Sequence, residues 1–135
     1  MIEGTRLVFT WPTGHVKIFY VQAVILSSTP MVRHIILWTL RPELSENEKE
    51  AIKAGIKEGL EGLQGQIPGL LKIKVLTQGR LSSSTADLML DSTFESHEAL
   101  MAYRTNPLHV AVAEGKVRPY TFQRSCLDFE MDSQA

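Results

Sequence analysis

The chain has 135 residues, of which 44% are hydrophobic and 21% are charged, and its formal net charge is −1. These totals predict one globular domain with a hydrophobic core of its own. They give no support to a nucleic-acid partner, because the sequence has no basic cluster. No run is long and apolar enough to predict a membrane span.

Cysteine and histidine usage limits the chemistry further. The single cysteine, Cys126, excludes an internal disulfide and a cysteine-based zinc site, and it is typical of a reducing compartment such as the cytoplasm. The four histidines are scattered without a His-x-x-x-His pair, so neither a metal nor another cofactor is predicted. Cys126 lies in a β-prone run, where we expect it to be buried filler rather than a nucleophile.

Residues 1–30 differ from the rest of the chain. Two β-prone runs, Arg6–Trp11 and Val16–Leu26, flank the turn-forming residues Pro12, Thr13 and Gly14. Two interpretations stay open. The segment is either a β-hairpin added to the domain or a leader outside the natural start, with Met31 as the true beginning.

From Met31 onward, strands and helices follow one another clearly. Val32–Leu40 is rich in strand-forming residues, and alternation divides its side chains into one face with His34, Ile36, Trp38 and Leu40 and another with Ile35 and Leu37. Both faces are apolar, so we expect both to be covered.

A helix follows the first of these strands. Ser45 and Glu48 form a capping box, and the helix should run to about Gln64, with a buried stripe of Ile52, Ile56, Leu60, Leu63 and Ile67. Beside this stripe lie three glycines, Gly55, Gly59 and Gly62. Each glycine costs about 1 kcal/mol relative to alanine, which indicates either a close backbone contact or tolerated surface positions.

Two further strands are predicted at Leu71–Gln78 and Thr85–Phe94, joined by a polar loop. Alternation assigns to their buried faces Leu71, Ile73 and Val75 in the first, and Ala86, Leu88, Leu90 and Phe94 in the second. A last strand covers Thr121–Glu130, and residues 131–135 form a tail.

Between these strands lies a helix that is broken at Asn106 and Pro107. Ser96 can cap a helix that starts at His97, and that helix should stop near Thr105 because a residue before proline avoids the α region. Asn106 then suits the N-cap of a second helix, with Pro107 at its first position.

Tyr103 and His109 flank this break. His109 falls in the first turn of the second helix, where the helix dipole disfavours a protonated imidazole. A neutral imidazole can accept a proton. Local spacing can bring the Tyr103 hydroxyl close to it.

The order β-α-β-β-α-β predicts an α+β, ferredoxin-like fold. One copy of this fold leaves an apolar face of the sheet open, and a second copy placed face to face would cover it. The sequence therefore predicts a homodimer, or a higher oligomer, in which two sheets close into an α+β barrel.

Three segments carry a likeness to a known family: HIILWTL from residue 34, EGLEGLQGQIPGL from residue 58, and DLMLDSTFESHEALMAYRTNPLHVAV from residue 87. Together they resemble the stress-responsive A/B barrel (Dabb) family over residues 31–130. The resemblance implies a dimeric α+β barrel. Members of the family include stress-induced plant proteins and the plant cyclase that forms olivetolic acid.

The resemblance also implies a site. In the cyclase a tyrosine and a histidine of this run carry the chemistry, and they match Tyr103 and His109, whereas Asn106 stands where the cyclase has a second histidine. The matching pocket positions in this chain are His34, Ile36, Trp38, Leu90, Asn106 and Val112.

Three functions remain open at this point. The first is binding of a small apolar or carbonyl-containing ligand in a pocket of each subunit. The second is a cofactor-free cyclase, lyase or monooxygenase-like enzyme in which His109 is the general base and Tyr103 donates a hydrogen bond to a developing oxyanion. The third is a structural stress protein whose assembly is its function.

Overall fold

The computed structural model describes residues 3–10, 14, 16–23 and 29–132. The first two strands, β1 (Glu3–Thr10) and β2 (Val16–Ala23), pair with each other in antiparallel register, with Glu3 opposite Ala23. Pro12 and Thr13 of the predicted turn lie outside the described residues. So do residues 24–26 at the end of the second β-prone run and residues 133–135 of the predicted tail.

The remaining strands build one antiparallel sheet. Its members are β3 (Val32–Leu40), β4 (Leu70–Leu76), β5 (Leu88–Phe94) and β6 (Thr121–Glu130), in the spatial order β4-β5-β3-β6. With the helices between them, these strands form the ferredoxin-like α+β fold, as predicted.

The first helix, α1, spans Glu46–Glu61, about one turn less than predicted. Its capping box is confirmed, since the Ser45 hydroxyl accepts from the Glu48 amide and the Glu48 carboxylate accepts from the Ser45 amide. Of the three glycines, Gly59 faces the Val112 side chain closely, Gly62 caps the end of α1, and Gly55 faces open space.

The helical region after β5 is divided as predicted, with one addition. Helix α2 (His97–Thr105) begins at the Ser96 cap, and α3 (Pro107–Val112) begins at the Asn106 cap. Beyond Val112 the chain continues as one π-helical turn, Ala113–Val117, in which the Arg118 amide donates to the Ala113 carbonyl at 2.8 Å. Such turns often accompany functional sites in helices.

The helices pack on one face of the sheet, which we call the inner face. Alternate residues of β3 and β5 point into this core, as predicted. The most deeply buried side chains are Tyr103, Phe94, Ile56, Leu60, Leu90, Leu100, Val75 and Ser92. Among the described residues, no helix has the length and apolar character needed to cross a membrane.

The predicted burial of Leu71 is wrong. Leu70 is buried, whereas the side chain of Leu71 is 47% exposed. The reason is a register shift between Leu70 and Lys72 in the pairing of β4 with β5, because an extra residue in one strand interrupts strict alternation. From Ile73 onward the predicted alternation holds.

The opposite side of the sheet, which we call the outer face, carries an apolar patch. Register places Ile35, Leu37, Leu76, Met89, Leu127 and Phe129 together on this face. Leu37 and Leu127 are 41% and 62% exposed in the single chain.

Beside this patch an ion pair lies on the same face. Arg33 donates two hydrogen bonds to the carboxylate of Asp91, at 2.9 and 2.6 Å. This pairing lowers the pKa of Asp91.

Candidate functional site

A cavity of about 650 Å³ lies between the inner face of the sheet and the helices α2 and α3. Its apolar wall is formed by Ile36, Trp38, Leu60, Leu90, Ala113 and Val117. Its polar lining includes Arg104, Arg118, Arg124, Tyr103, His109, His34, Cys126 and Asp128. The cavity therefore combines an apolar wall with hydrogen-bonding and positively charged groups, which is the composition expected of a small-molecule site.

Tyr103 is the most buried polar side chain of this lining. Its ring packs against Phe94 and His109, with ring centroids 4.9 and 4.0 Å away. Its hydroxyl oxygen is buried and has no hydrogen-bond partner among the described residues. Burial raises the pKa of Tyr103 well above its ordinary value, so the hydroxyl keeps its proton and is available only as a hydrogen-bonding group.

His109 stands beside Tyr103 in the first turn of α3. Its Nδ1 lies 3.4 Å from the carbonyl oxygen of Arg104. Because a carbonyl can only accept, the proton belongs on Nδ1, and Nε2 keeps its lone pair. Burial has the largest effect and lowers the pKa of His109. The Arg104 carbonyl opposes this in part, and the nearby charge of Arg118 lowers the pKa further. The imidazole is therefore neutral at pH 7 and can accept a proton.

A second cluster of polar side chains lines the cavity where β3 pairs with β6. Register sets His34 opposite Asp128 and Ile36 opposite Cys126. The buried His34 ring directs Nδ1 at the Asp128 carboxylate, and the Cys126 sulfur lies 3.4 Å from the same carboxylate oxygen and 3.7 Å from Nδ1. Burial is the largest single influence on the pKa of Asp128 and raises it, but the hydrogen bonds from His34 and Cys126 and the nearby positive charge together outweigh burial, so the net pKa is lowered.

Six of the eight predicted site residues line this one cavity: Tyr103, His109, His34, Ile36, Trp38 and Leu90. Asn106 and Val112 do not. The side-chain oxygen of Asn106 accepts from the Leu108 amide at 2.9 Å as the α3 cap. Val112 turns toward α1, where its Cγ1 lies 2.9 Å from the point at which a Cβ on Gly59 would stand.

Sequence reasoning missed the part of the site that β6 supplies. Cys126 was expected to be buried, but it is exposed, because β6 is an edge strand and the helices leave its inner face partly open. The partial burial of its sulfur, together with the Asp128 carboxylate, raises the pKa of the Cys126 thiol, which disfavours the thiolate form that a nucleophile needs. The available signal was that Cys126 and Asp128, two residues apart, share one face of a strand.

The fold and site define a small ferredoxin-like α+β protein with a cavity lined by both apolar and polar side chains. The model of the Stress Responsive A/B Barrel Domain (Dabb) matches residues 32–131. The chain belongs to this family.

Solved structures agree with the assignment. A dimeric ferredoxin-like protein of unknown function from Bacteroides fragilis is 31% identical, with a TM-score of 0.69 over 75% of this chain and 96% of that one. A Dabb family protein from Mesorhizobium loti is 20% identical, with a TM-score of 0.60 over 78% and 100% of the two chains. Hydroxynitrile lyase from Passiflora edulis has the same fold, at 19% identity and a TM-score of 0.59 over 77% and 95%. No curated protein sequence matches the chain.

Proposed function

We propose that the protein is a homodimer in which each subunit binds one small molecule, with an apolar body and a carbonyl group, in the cavity beside Tyr103 and His109. The observation that carries this proposal is the buried Tyr103 hydroxyl, for which the described part of the chain supplies no hydrogen-bond partner. Buried polar groups are nearly always hydrogen-bonded. A ligand carbonyl oxygen supplies the missing acceptor.

The lining of the cavity supports this ligand class. Trp38 and Leu90 contribute apolar wall, which favours a hydrophobic or aromatic body. Arg104, Arg118 and Arg124 add positive charge, which favours a carbonyl or a carboxylate over a cation. A volume of about 650 Å³ falls in the usual range for small-molecule sites.

The homodimer is supported by the apolar outer face and by the dimeric description of the Bacteroides fragilis structure. An exposed apolar sheet is an aggregation hazard unless something covers it. A second copy of the chain offers a matching apolar sheet. Cys126 as a free thiol is consistent with the cytoplasm as the site of action.

A second candidate function, enzymatic acid–base chemistry without a cofactor, rests on the pairing of Tyr103 with His109. Nε2 of His109 would take a proton from the carbon next to the ligand carbonyl. The electron pair of the broken C–H bond would move onto the carbonyl oxygen, and the Tyr103 hydroxyl would donate a hydrogen bond to the resulting enolate. This first step is shared by aldol-type cyclisations and by lyase reactions that eliminate a group β to a carbonyl.

Binding is tested with acetophenone and ethylbenzene, two probes of similar shape that differ by a carbonyl group. Dissociation constants are measured by NMR titration of the full chain. We expect acetophenone to bind about fivefold to tenfold more tightly, because one hydrogen bond contributes roughly 1 kcal/mol. The matched variant Tyr103→Phe removes only the hydroxyl, and it should abolish this preference while leaving ethylbenzene binding unchanged.

Two results would contradict this proposal. One is the failure of both probes to shift any cavity resonance, which would favour the third candidate, a protein that acts through its assembly. The other is an equal preference for acetophenone in the Tyr103→Phe variant, which would remove the hydroxyl from the site.

Catalysis is tested by hydrogen–deuterium exchange of 2-tetralone, a ketone with exchangeable protons beside its carbonyl. The wild-type chain in D2O should accelerate exchange, and His109→Gln should lose at least about 100-fold of the acceleration, in line with the usual contribution of a general base. Equal exchange rates with wild type and with His109→Gln would reject the hypothesis of acid–base catalysis by His109 and leave the binding proposal intact.

A further inference from the structure

We propose that His34, Cys126 and Asp128 form a Zn²⁺ site at the edge of the cavity, with the fourth coordination position open toward the cavity. The inference goes beyond ligand binding and acid–base chemistry by Tyr103 and His109. It departs from the sequence analysis, in which a single cysteine spoke against a zinc site and no metal was predicted, because this site needs only one thiolate. The site rests on three side chains that the pairing of β3 with β6 brings together, although 94 residues separate His34 from Asp128.

The distances between the three donor atoms fit one ion. The donor atoms all lie within 4.8 Å of one another, and the Cys126 sulfur lies 3.7 Å from His34 Nδ1 and 3.4 Å from an Asp128 oxygen. In a tetrahedral site with ordinary Zn–S, Zn–N and Zn–O bond lengths, such donor pairs are about 3.3–3.6 Å apart. His34 Nδ1 and the Asp128 oxygen are closer than this because they are hydrogen-bond partners, and they would move apart to hold an ion between them.

The chemistry of the donor set also suits Zn²⁺. Thiolate, imidazole and carboxylate are its usual ligands in proteins. One thiolate and one carboxylate carry two negative charges, which offset the charge of the ion, and the neutral imidazole completes the set. Three protein ligands with one open position are the arrangement of catalytic rather than structural zinc sites.

The supporting structure holds the ligands in place. The His34 ring packs edge-on against Phe94 and Tyr103, with ring centroids 6.3 and 6.4 Å away. The Ser92 hydroxyl donates to the His34 carbonyl at 3.0 Å. All three ligands lie on paired strands rather than on loops, and sites on such rigid elements are held more accurately.

The test is titration of the full, reduced chain with Co²⁺, followed by displacement with Zn²⁺. We expect one ion per chain and a near-ultraviolet thiolate-to-cobalt charge-transfer band. The chain has one cysteine, so such a band assigns Cys126 as a ligand directly. Zn²⁺ should abolish the band, and the stoichiometry should not depend on protein concentration.

Three variants complete the experiment. Cys126→Ser should remove the band and weaken Zn²⁺ binding by at least about 100-fold. Asp128→Asn should weaken Zn²⁺ binding by at least about tenfold. Even side chains that only hydrogen-bond to a metal ligand contribute about 10–100-fold to metal affinity. Both side chains lie on an edge strand, so these changes should leave the fold intact, which circular dichroism checks. His97→Gln alters an exposed histidine and should bind Zn²⁺ like wild type.

Some outcomes would overturn the site. The first is the absence of a charge-transfer band, and the second is a Zn²⁺ affinity that is equal in wild type and Cys126→Ser. The third is one ion per two chains, with a band that grows with protein concentration. That result would indicate an ion bridging the exposed thiols of two chains. These readouts follow the metal alone, so their failure is separate from failure of the acetophenone or 2-tetralone experiments.

Discussion

The rings of Tyr103 and His109 lie with their centroids 4.0 Å apart, although Asn106 and Pro107 end one helix and start another between them. The break at Asn106 turns the chain, so that the first turn of α3 sets an imidazole against the last turn of α2. This contact joins a buried proton donor to a neutral proton acceptor at one wall of the cavity.

Tyr103→Phe should leave the free energy of unfolding unchanged or raise it by up to about 1 kcal/mol. The hydroxyl is buried without a partner among the described residues, and removing such a group relieves its desolvation cost. Urea denaturation of the ligand-free chain measures the effect. Tyr103→Ala is the comparison, and it should lose about 3–5 kcal/mol through the cavity it creates. A loss above about 1 kcal/mol in Tyr103→Phe would mean that the hydroxyl has a partner.

The pKa of His109 in the folded chain should lie below the ordinary histidine value of about 6.5, because burial disfavours its charged form. The unfolded chain then binds more protons between the folded pKa and about 6.5. The free energy of unfolding therefore falls as pH drops through that window, and the His109 contribution levels off below the folded pKa.

NMR titration of the His109 ring resonances measures this pKa directly. Arg118→Gln should raise it, because the Arg118 charge disfavours protonation. The free energy of unfolding is measured at each pH for wild type and for His109→Gln. The difference between the two chains isolates the contribution of His109 from that of the other histidines. A folded pKa above 6.5, or identical pH dependence in both chains, would contradict the burial argument.

Local chemistry made much of the fold predictable. The caps at Ser45, Ser96 and Asn106 were read correctly because each depends on a side chain and an amide within three residues of it. The buried faces of β3 and β5 followed from alternation, which survives wherever pairing is regular. The family resemblance then drew attention to Tyr103 and His109.

What the sequence concealed depends on contacts between distant strands. The register shift that exposes Leu71 is a property of two paired strands, so the sequence of β4 alone does not predict it. The meeting of His34 with Asp128 likewise requires the pairing of β3 with β6. Alternation could assign each residue to a face, but not its partner across the sheet.

Gly55→Ala and Gly59→Ala should have opposite effects, although both glycines lie within α1. At Gly55 a Cβ meets no atom of the described residues within 4 Å, so alanine should raise the free energy of unfolding by about 1 kcal/mol through helix propensity. At Gly59 a Cβ would stand 2.9 Å from Val112 Cγ1. Overpacking against this stiff, β-branched side chain costs about 1–3 kcal/mol, which cancels or exceeds the gain.

Urea denaturation of the two variants side by side tests the close contact between α1 and α3. The two substitutions share the same propensity term, so the difference between them reports packing alone. An equal gain at both positions would mean that α3 can move away from α1 at no cost.

Leu37→Glu should separate the subunits without unfolding them. Leu37 lies on the outer face and is 41% exposed in the single chain, so a carboxylate there stays in water when the chain is monomeric but is buried without a partner in a face-to-face dimer. Sedimentation equilibrium should give a dimer for wild type and a monomer for the variant, with the circular dichroism of the folded chain retained. Leu81→Glu, on a loop leucine that is 70% exposed, is the matched control and should remain dimeric.

Ile73→Glu, at a position 6% exposed in the core, should instead lower the free energy of unfolding by several kcal/mol. If Leu37→Glu stays dimeric with unchanged affinity, the subunits associate through a surface other than the outer face. If it unfolds as Ile73→Glu does, the barrel is an obligate dimer whose subunits cannot fold apart.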